Sequence, residues 1–198
     1  ETDLDFHGDD FHGNEGPIPV RRYQRQEWLP TARSFYDACV GMGLPEDPDQ
    51  NHPDSNGIAA RPLNNIGGVR MSTSLTYLNL ARHRLNLTVR GNVTVGRIIF
   101  EGKRAVGVAA QSDNQNFTVE GDQILLCGGA VASPQILLLS GVGPSNHLSG
   151  LGIALVHELP GVGQNLRDHP SLFLLFKGYG DVPDDDAPSI QVGLRFST

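Results

Sequence analysis

Residues 123–143 read QILLCGGAVASPQILLLSGVG, and the reading of this stretch decides the reading of the rest. Ile124, Leu125, Leu126 and Cys127 form a short apolar run, the pattern of a strand covered on both faces. Gly128, Gly129 and Ala130 follow, where the main chain carries almost no side-chain bulk. Ser133 is placed to N-cap a helix with Pro134 in its first turn, and residues 136–139 form its buried body. Gly141 stops the helix, since glycine takes the positive φ that ends helices. An apolar strand, a turn of small residues and a capped helix bring main chain close to something flat or charged. In α/β proteins nucleotide cofactors lie at such corners. The same pattern also describes an ordinary strand-to-helix corner, so it does not choose among cofactors by itself.

The residue types go further than the pattern. Gly129-Ala130, Ser133-Pro134, Leu137-Leu138 and Ser140-Gly141-Val142-Gly143 together closely resemble the second signature of the glucose–methanol–choline (GMC) oxidoreductases, FAD-dependent enzymes acting on alcohols. Residues 159–169, LPGVGQNLRDH, resemble a loop of the same family, whose usual form has Gln where this chain has Arg167. Asn86-Leu87-Thr88-Val89 and residues 102–108, GKRAVGV, are similar to it as well. The resemblance covers most of the chain and is strongest over about residues 70–169.

Composition sets the outer limits. The 198 residues, 38% hydrophobic and 19% charged, suit a soluble globular protein of one or two domains. No run approaches the roughly 18 apolar residues of a membrane span. The net charge of −7 argues against nucleic acid, because no basic stripe is available to neutralise phosphates. The 24 glycines imply tight turns and close backbone approaches. Cys39 and Cys127 do not suggest a stapled or zinc-bound fold, and Cys127, within the apolar run, reads as a buried inert thiol. Sequons at Asn86, Asn92 and Asn116 do not establish secretion, and a cytoplasmic location is favoured over it. The chain starts at Glu1 without Met or a signal-peptide pattern. It stops in the alternating run 189–196, read as a strand without a partner. A piece of a larger protein is the expectation.

In chain order, residues 1–27 read as a polar entry segment. The run 7–13, HGDDFHG, has metal-like spacing, but its glycines leave the side chains flexible and no second cluster completes a shell, so no metal site is expected. A helix is predicted over 28–42 with Ala32, Phe35, Tyr36, Cys39 and Val40 on one apolar face. Residues 44–68 read as a long loop. Ser72 or Thr73 caps a short helix through Arg82. Residues 85–90, 93–100 and 104–110 read as strands turning at Gly91-Asn92 and Gly102-Lys103, an antiparallel meander that 117–120 extends. Residues 144–150 read as a short helix capped by Ser145, 153–159 as a strand and 172–176 as a central strand. Residues 181–186 form an acidic solvated loop.

The fold class that follows is α/β (α+β overall). The resemblance implies part of a Rossmann-like FAD-binding domain with an antiparallel meander over 71–168, flanked by parts of an antiparallel-sheet substrate-binding domain over 1–70 and 169–198. It also implies that the Val95 main chain reads the adenine ring, and that Gly128, Gly129 and Ala130 permit close approach of the FAD ribose or diphosphate. The family more often has Ala at the position of Gly128.

Two expected parts are missing. No G-x-G-x-x-G turn followed by an acidic residue occurs in the right setting, and nothing after Arg195 supplies the family's C-terminal active-site His. No catalytic residue is therefore assigned. His169, beside Asp168, is a tempting base, but adjacent residues rarely pair side chain to side chain. The parent implied is an FAD-dependent enzyme oxidising the CH–OH group of a small alcohol, with oxygen or another electron acceptor, the fragment alone being inactive. The alternatives are a non-catalytic binding module and a flavin-containing lyase of the same family.

Overall fold

Tyr23, Trp28, Tyr36, Cys39 and Ile58 pack together away from solvent, and this aromatic cluster organises the first stretch of the chain. The structure, a computed structural model, describes residues 1–6, 10–177 and 190–196. In chain order its main elements are β1 (Thr2–Asp3), β2 (Pro19–Val20), α1 (Pro30–Gly41), β3 (Gly57–Ala60), β4 (Asn65–Ile66) and β5 (Val69–Arg70). A π-helical turn (Ser74–Leu78) then runs into α2 (Asn79–Ala81). There follow β6 (Thr94–Glu101), β7 (Arg104–Ser112), β8 (Gln115–Glu120), α3 (Gly129–Leu139), β9 (Val142–Gly143), α4 (Ser145–Gly150), β10 (His157–Glu158) and β11 (Val192–Arg195). Helices with mainly antiparallel sheets place the chain in the α/β class. It divides into two compact units, Glu1–Leu87 with Phe176–Thr198, and Thr88–Leu175.

In the first unit α1 begins with Pro30, whose fixed φ and absent amide suit a first helical position. Gln191, almost fully buried, accepts the Leu29 amide at 2.6 Å and donates to the Glu27 carbonyl, so a residue far along the chain secures the helix entry. Of the five residues predicted for the apolar face of α1, Tyr36 and Cys39 are buried, whereas Phe35 and Val40 are exposed. Trp28 stacks at a tilt on Tyr36 and donates its indole N–H to the Tyr23 carbonyl at 2.7 Å. The predicted loop over 44–68 contains β3, whose Ile58 is wholly buried. The alternating run at 189–196 is not partnerless: β11 pairs antiparallel with β3, Val192 opposite Ala60 and Arg195 opposite Gly57. No side-chain cap starts the turn at Ser74; instead the Thr76 hydroxyl donates to the Ser72 carbonyl.

A second, polar cluster in this unit has no local sequence signal. Arg22 is buried and donates through Nη1 to both oxygens of Asp3 and through Nη2 to Asp49 at 2.7 Å. His12 stands 2.9 Å from Asp49, and Phe6 stacks on its ring while also lying under the Arg22 guanidinium. Thus His12, read as part of a flexible run, is fixed in the interior; residues 7–9 of that run lie outside the described residues. Burial alone would raise the Asp3 carboxyl, but the amides of Asp5 and Phe6 and the Arg22 guanidinium outweigh it and hold the group below its ordinary value.

The second unit is built on the meander β6–β7–β8. Gly102 turns the first hairpin with φ 62°, and Asp113 and Asn114, both at positive φ, make the second. The predicted strand at 85–90 does not form. The outer edge of β6 that it would need is used at Ile98, whose amide donates to the Ser140 hydroxyl at 2.8 Å. Two more predicted strands are unpaired among the described residues. Residues 124–127 join no sheet and Leu125 is 83% exposed; residues 172–176 join none and are all strongly exposed. Their apolar side chains have no neighbouring strand here to cover them. Cys127, expected buried, is exposed; both cysteines are free. The acidic run at 181–186 lies outside the described residues.

Removing Arg22 leaves two carboxylates buried against each other. Arg22→Ala is expected to destabilise the fold by about 3–5 kcal/mol in urea unfolding. Because the Asp3 carboxyl is depressed in the folded chain, its contribution is present above the ordinary carboxyl pKa of about 3.9 and lost as pH falls through its lowered value. Urea midpoints should therefore hold at neutral pH and drop in acid, and the drop should be smaller in Arg22→Ala.

Candidate functional site

The corner between residues 124–127 and α3 is open to solvent. Cys127, Gly128, Gly129 and Ala130 are all exposed, so the residues expected to approach a ligand stand together on the surface at the start of the helix. Gly129 has φ 76°, and a Cβ added there would meet nothing within 4 Å. The backbone at this point demands glycine, while the space before it is empty. Gly128 differs: its φ is ordinary, and a Cβ would press on Ala132 and on the Ser133 nitrogen at 3.1 and 3.2 Å. A side chain at Gly128 would thus need its helix neighbours to give slightly, whereas Gly129 is set by conformation.

The helix begins four residues before the predicted cap. Ser133 lies inside α3, yet its hydroxyl reaches back to accept the Gly128 amide at 3.1 Å, so it caps from within. Pro134 also lies inside the helix. Its missing N–H leaves the Ala130 carbonyl without a helical donor, on the exposed side of the corner. The other end of α3 is locked. Ser140, buried, joins the helix end to β6, and Gly141 at φ 83° packs so closely that a Cβ would lie 2.3 Å from the Ala154 carbonyl oxygen.

Facing α3 is the loop 161–167. Together they bound a groove of about 690 Å³, lined on one side by Ala130, Ser133, Pro134 and Leu137 and on the other by residues 161–167. Val162 is buried, and Gly163 takes φ 76° with its α-carbon side against Leu138. In the sequence this loop stands out only by resemblance and carries no expected site residue; its local signal is two glycines around one apolar residue. Arg167, where the resembled family has Gln, lines the groove and has no carboxylate partner among the described residues.

Val95 lies on β6, beside a bulge at Gly96 and opposite Ala110. No strand pairs with the outer edge of β6 among the described residues. Ile98 directs its amide to that edge. Counting back through the bulge, which adds one residue, the alternation of an antiparallel ladder turns the Val95 amide and carbonyl to the same edge. The corner residues thus come together, whereas Val95 stands on a separate element that α3 meets through its last turn. At Asp168-His169 the carboxylate accepts the His169 main-chain amide at 2.7 Å; the exposed imidazole is not what it orients.

Comparison with known proteins gives a consistent result. The family model described as GMC oxidoreductase matches residues 8–171. An uncharacterised GMC-type oxidoreductase of Rhodococcus erythropolis is 45% identical over 174 residues, 88% of this chain and 35% of that protein. An oxygen-dependent choline dehydrogenase of Ectopseudomonas mendocina is 43% identical over 178 residues, 87% of this chain and 31% of that protein. Among solved structures, an FAD-dependent oxidoreductase from Chaetomium thermophilum superposes with TM-score 0.73 at 29% identity, covering 79% of this chain and 28% of that one. The chain spans about a third of the length of the curated relatives it matches.

The two ends of α3 should respond differently to substitution. Ser133→Ala removes one acceptor at an exposed end and is expected to cost about 1 kcal/mol. Gly141→Ala forces a left-handed residue into contact with backbone and should cost roughly 1–3 kcal/mol. Urea unfolding of the two variants checks the order.

Proposed function

Because the chain belongs to the GMC oxidoreductase family, we propose that it forms the central part of a flavoenzyme that oxidises the CH–OH group of a small alcohol, using FAD and passing electrons to oxygen or another acceptor. The observation that carries this reading is the open corner at Gly128, Gly129 and Ala130. Main chain of little side-chain bulk, at the start of an eleven-residue helix, favours the anionic part of a nucleotide through the first amides of the helix, from Gly129 on, and the helix dipole. The residues present fit such a group. Gly129 leaves room that a larger residue would fill, and Arg167 adds positive charge along the same groove. The edge-facing main chain of Val95 offers one donor and one acceptor, the pair an adenine edge requires.

In this assignment residues 71–168 contribute to FAD binding, and 1–70 and 169–198 to the substrate-binding part. The division into two compact units, with the second formed by Thr88–Leu175, supports a reading of one segment set between two others. When bound, the flavin supplies hydride acceptance from the alcohol carbon. This chain's own residues bind and orient the cofactor; the proton of the substrate hydroxyl is assigned to no residue here. The unpaired apolar runs 124–127 and 172–176 are read as strands whose partners belong to the remainder of the enzyme. On that reading the isolated chain is inactive and binds FAD weakly or not at all.

The test is made on the whole enzyme. It should purify with yellow flavin absorbance that bleaches when an alcohol is added without oxygen. Gly129→Val should lower FAD affinity by about tenfold, or about 1.4 kcal/mol, while the protein remains folded by circular dichroism. An enzyme that holds no flavin, or one whose flavin affinity is unchanged in Gly129→Val, contradicts the proposal.

A further inference from the structure

Beside β3 and β11 lies a cleft of about 460 Å³, lined chiefly by Gln50, Asn51, Arg61, Pro62, Arg195 and Phe196. Its charge is opposite to that of the chain. The protein carries a net charge of −7, yet no Asp or Glu among the described residues lines this cleft and two guanidiniums do. Arg21, Arg22, Arg25 and Arg104 each pair with a carboxylate. Among the described residues neither Arg61 nor Arg195 does, and both are exposed.

The cleft is built rather than left over. Gln50 donates through Nε2 to the Gly193 carbonyl, and its Oε1 faces Arg61 Nη1 at 3.5 Å. Gly193 lies directly beneath both side chains. A Cβ there would stand 2.7 Å from Arg61 Cδ and 3.1 Å from Gln50 Nε2, so glycine at this position of β11 lets the Arg61 stem lie across the strand. Arginine keeps its charge at any physiological pH, and its planar fork matches a carboxylate in a bidentate manner. Pro62 and Phe196 add apolar surface alongside the two guanidiniums, and the volume is that of a small-molecule pocket.

We propose that this cleft binds a small carboxylate with an apolar body. The carboxylate lies between Arg61, itself positioned by the Gln50 amide, and Arg195, and the body of the ligand lies against Pro62 and Phe196. The proposal does not depend on the flavin assignment, and its readout is binding rather than turnover.

Benzoate is the probe, titrated calorimetrically into the whole enzyme at constant ionic strength, with benzamide and inorganic phosphate as matched controls. Benzoate should bind saturably and benzamide and phosphate should not. Arg61→Gln and Arg195→Gln, both surface changes that leave the core untouched, should each weaken benzoate by about tenfold or more, as loss of a bidentate charged contact implies. Arg104→Gln, which alters a surface ion pair on the meander, should leave it unchanged. Absence of saturable benzoate binding, equal binding of benzamide or phosphate, or benzoate affinity that survives both cleft variants would each overturn the proposal.

Discussion

The hydrogen bond from the Ile98 amide to the Ser140 hydroxyl fixes the relation on which the second unit depends. An unpaired amide on the edge of a sheet needs an acceptor, and a fourth strand would be the usual one. Here Ser140, the residue that caps the C-terminal end of α3, provides it. The consequence is that α3 is anchored by its C-terminal end, with Gly141 turning the chain left-handed at once so that β9 can pair with β10 around the buried Leu148. A helix held firmly at one end can leave its other end free of packing. That freedom is what places Gly128, Gly129 and Ala130 on the surface with the groove beside them.

The loop 161–167 packs Val162 inward and closes toward Leu138, giving the groove a wall. Solvent-exposed apolar runs at 124–127 and 172–176 belong to the same description: both have the composition of strands buried on two faces, and neither has a neighbour among the described residues. The chain belongs to the GMC oxidoreductases and spans about a third of the length of its relatives.

How much of this could be read from the sequence depended on the range of the interaction. Gly141 as a helix stop and Gly102 as a hairpin turn were legible because the requirement for positive φ is local. Ser133 was recognised as a cap but misplaced, since its hydroxyl acts five residues back and Pro134 sits within the helix, where the single amide it removes would face an exposed carbonyl. The runs at 85–90, 124–127 and 172–176 were read as strands from their side chains alone. Pairing requires a partner edge, which periodicity does not reveal. The β3–β11 pair and the Asp3–Arg22–Asp49 cluster were invisible for the same reason: their members are far apart in sequence and no local pattern announces them. At the corner, the absence of bulk at Gly128, Gly129 and Ala130 is visible in the sequence, whereas their role toward a nucleotide comes from the resemblance alone. The facing loop and Arg167 became part of the groove only through folding.

Under the proposed function, the bare main chain at the start of α3 receives a flavin nucleotide. Amide hydrogen exchange of the whole enzyme, with and without FAD, tests it most directly. Selective slowing at residues 129–131 on flavin binding, with the meander amides of β7 unchanged, is the predicted result. Stoichiometric flavin binding that leaves those corner amides exchanging at the flavin-free rate would contradict the account.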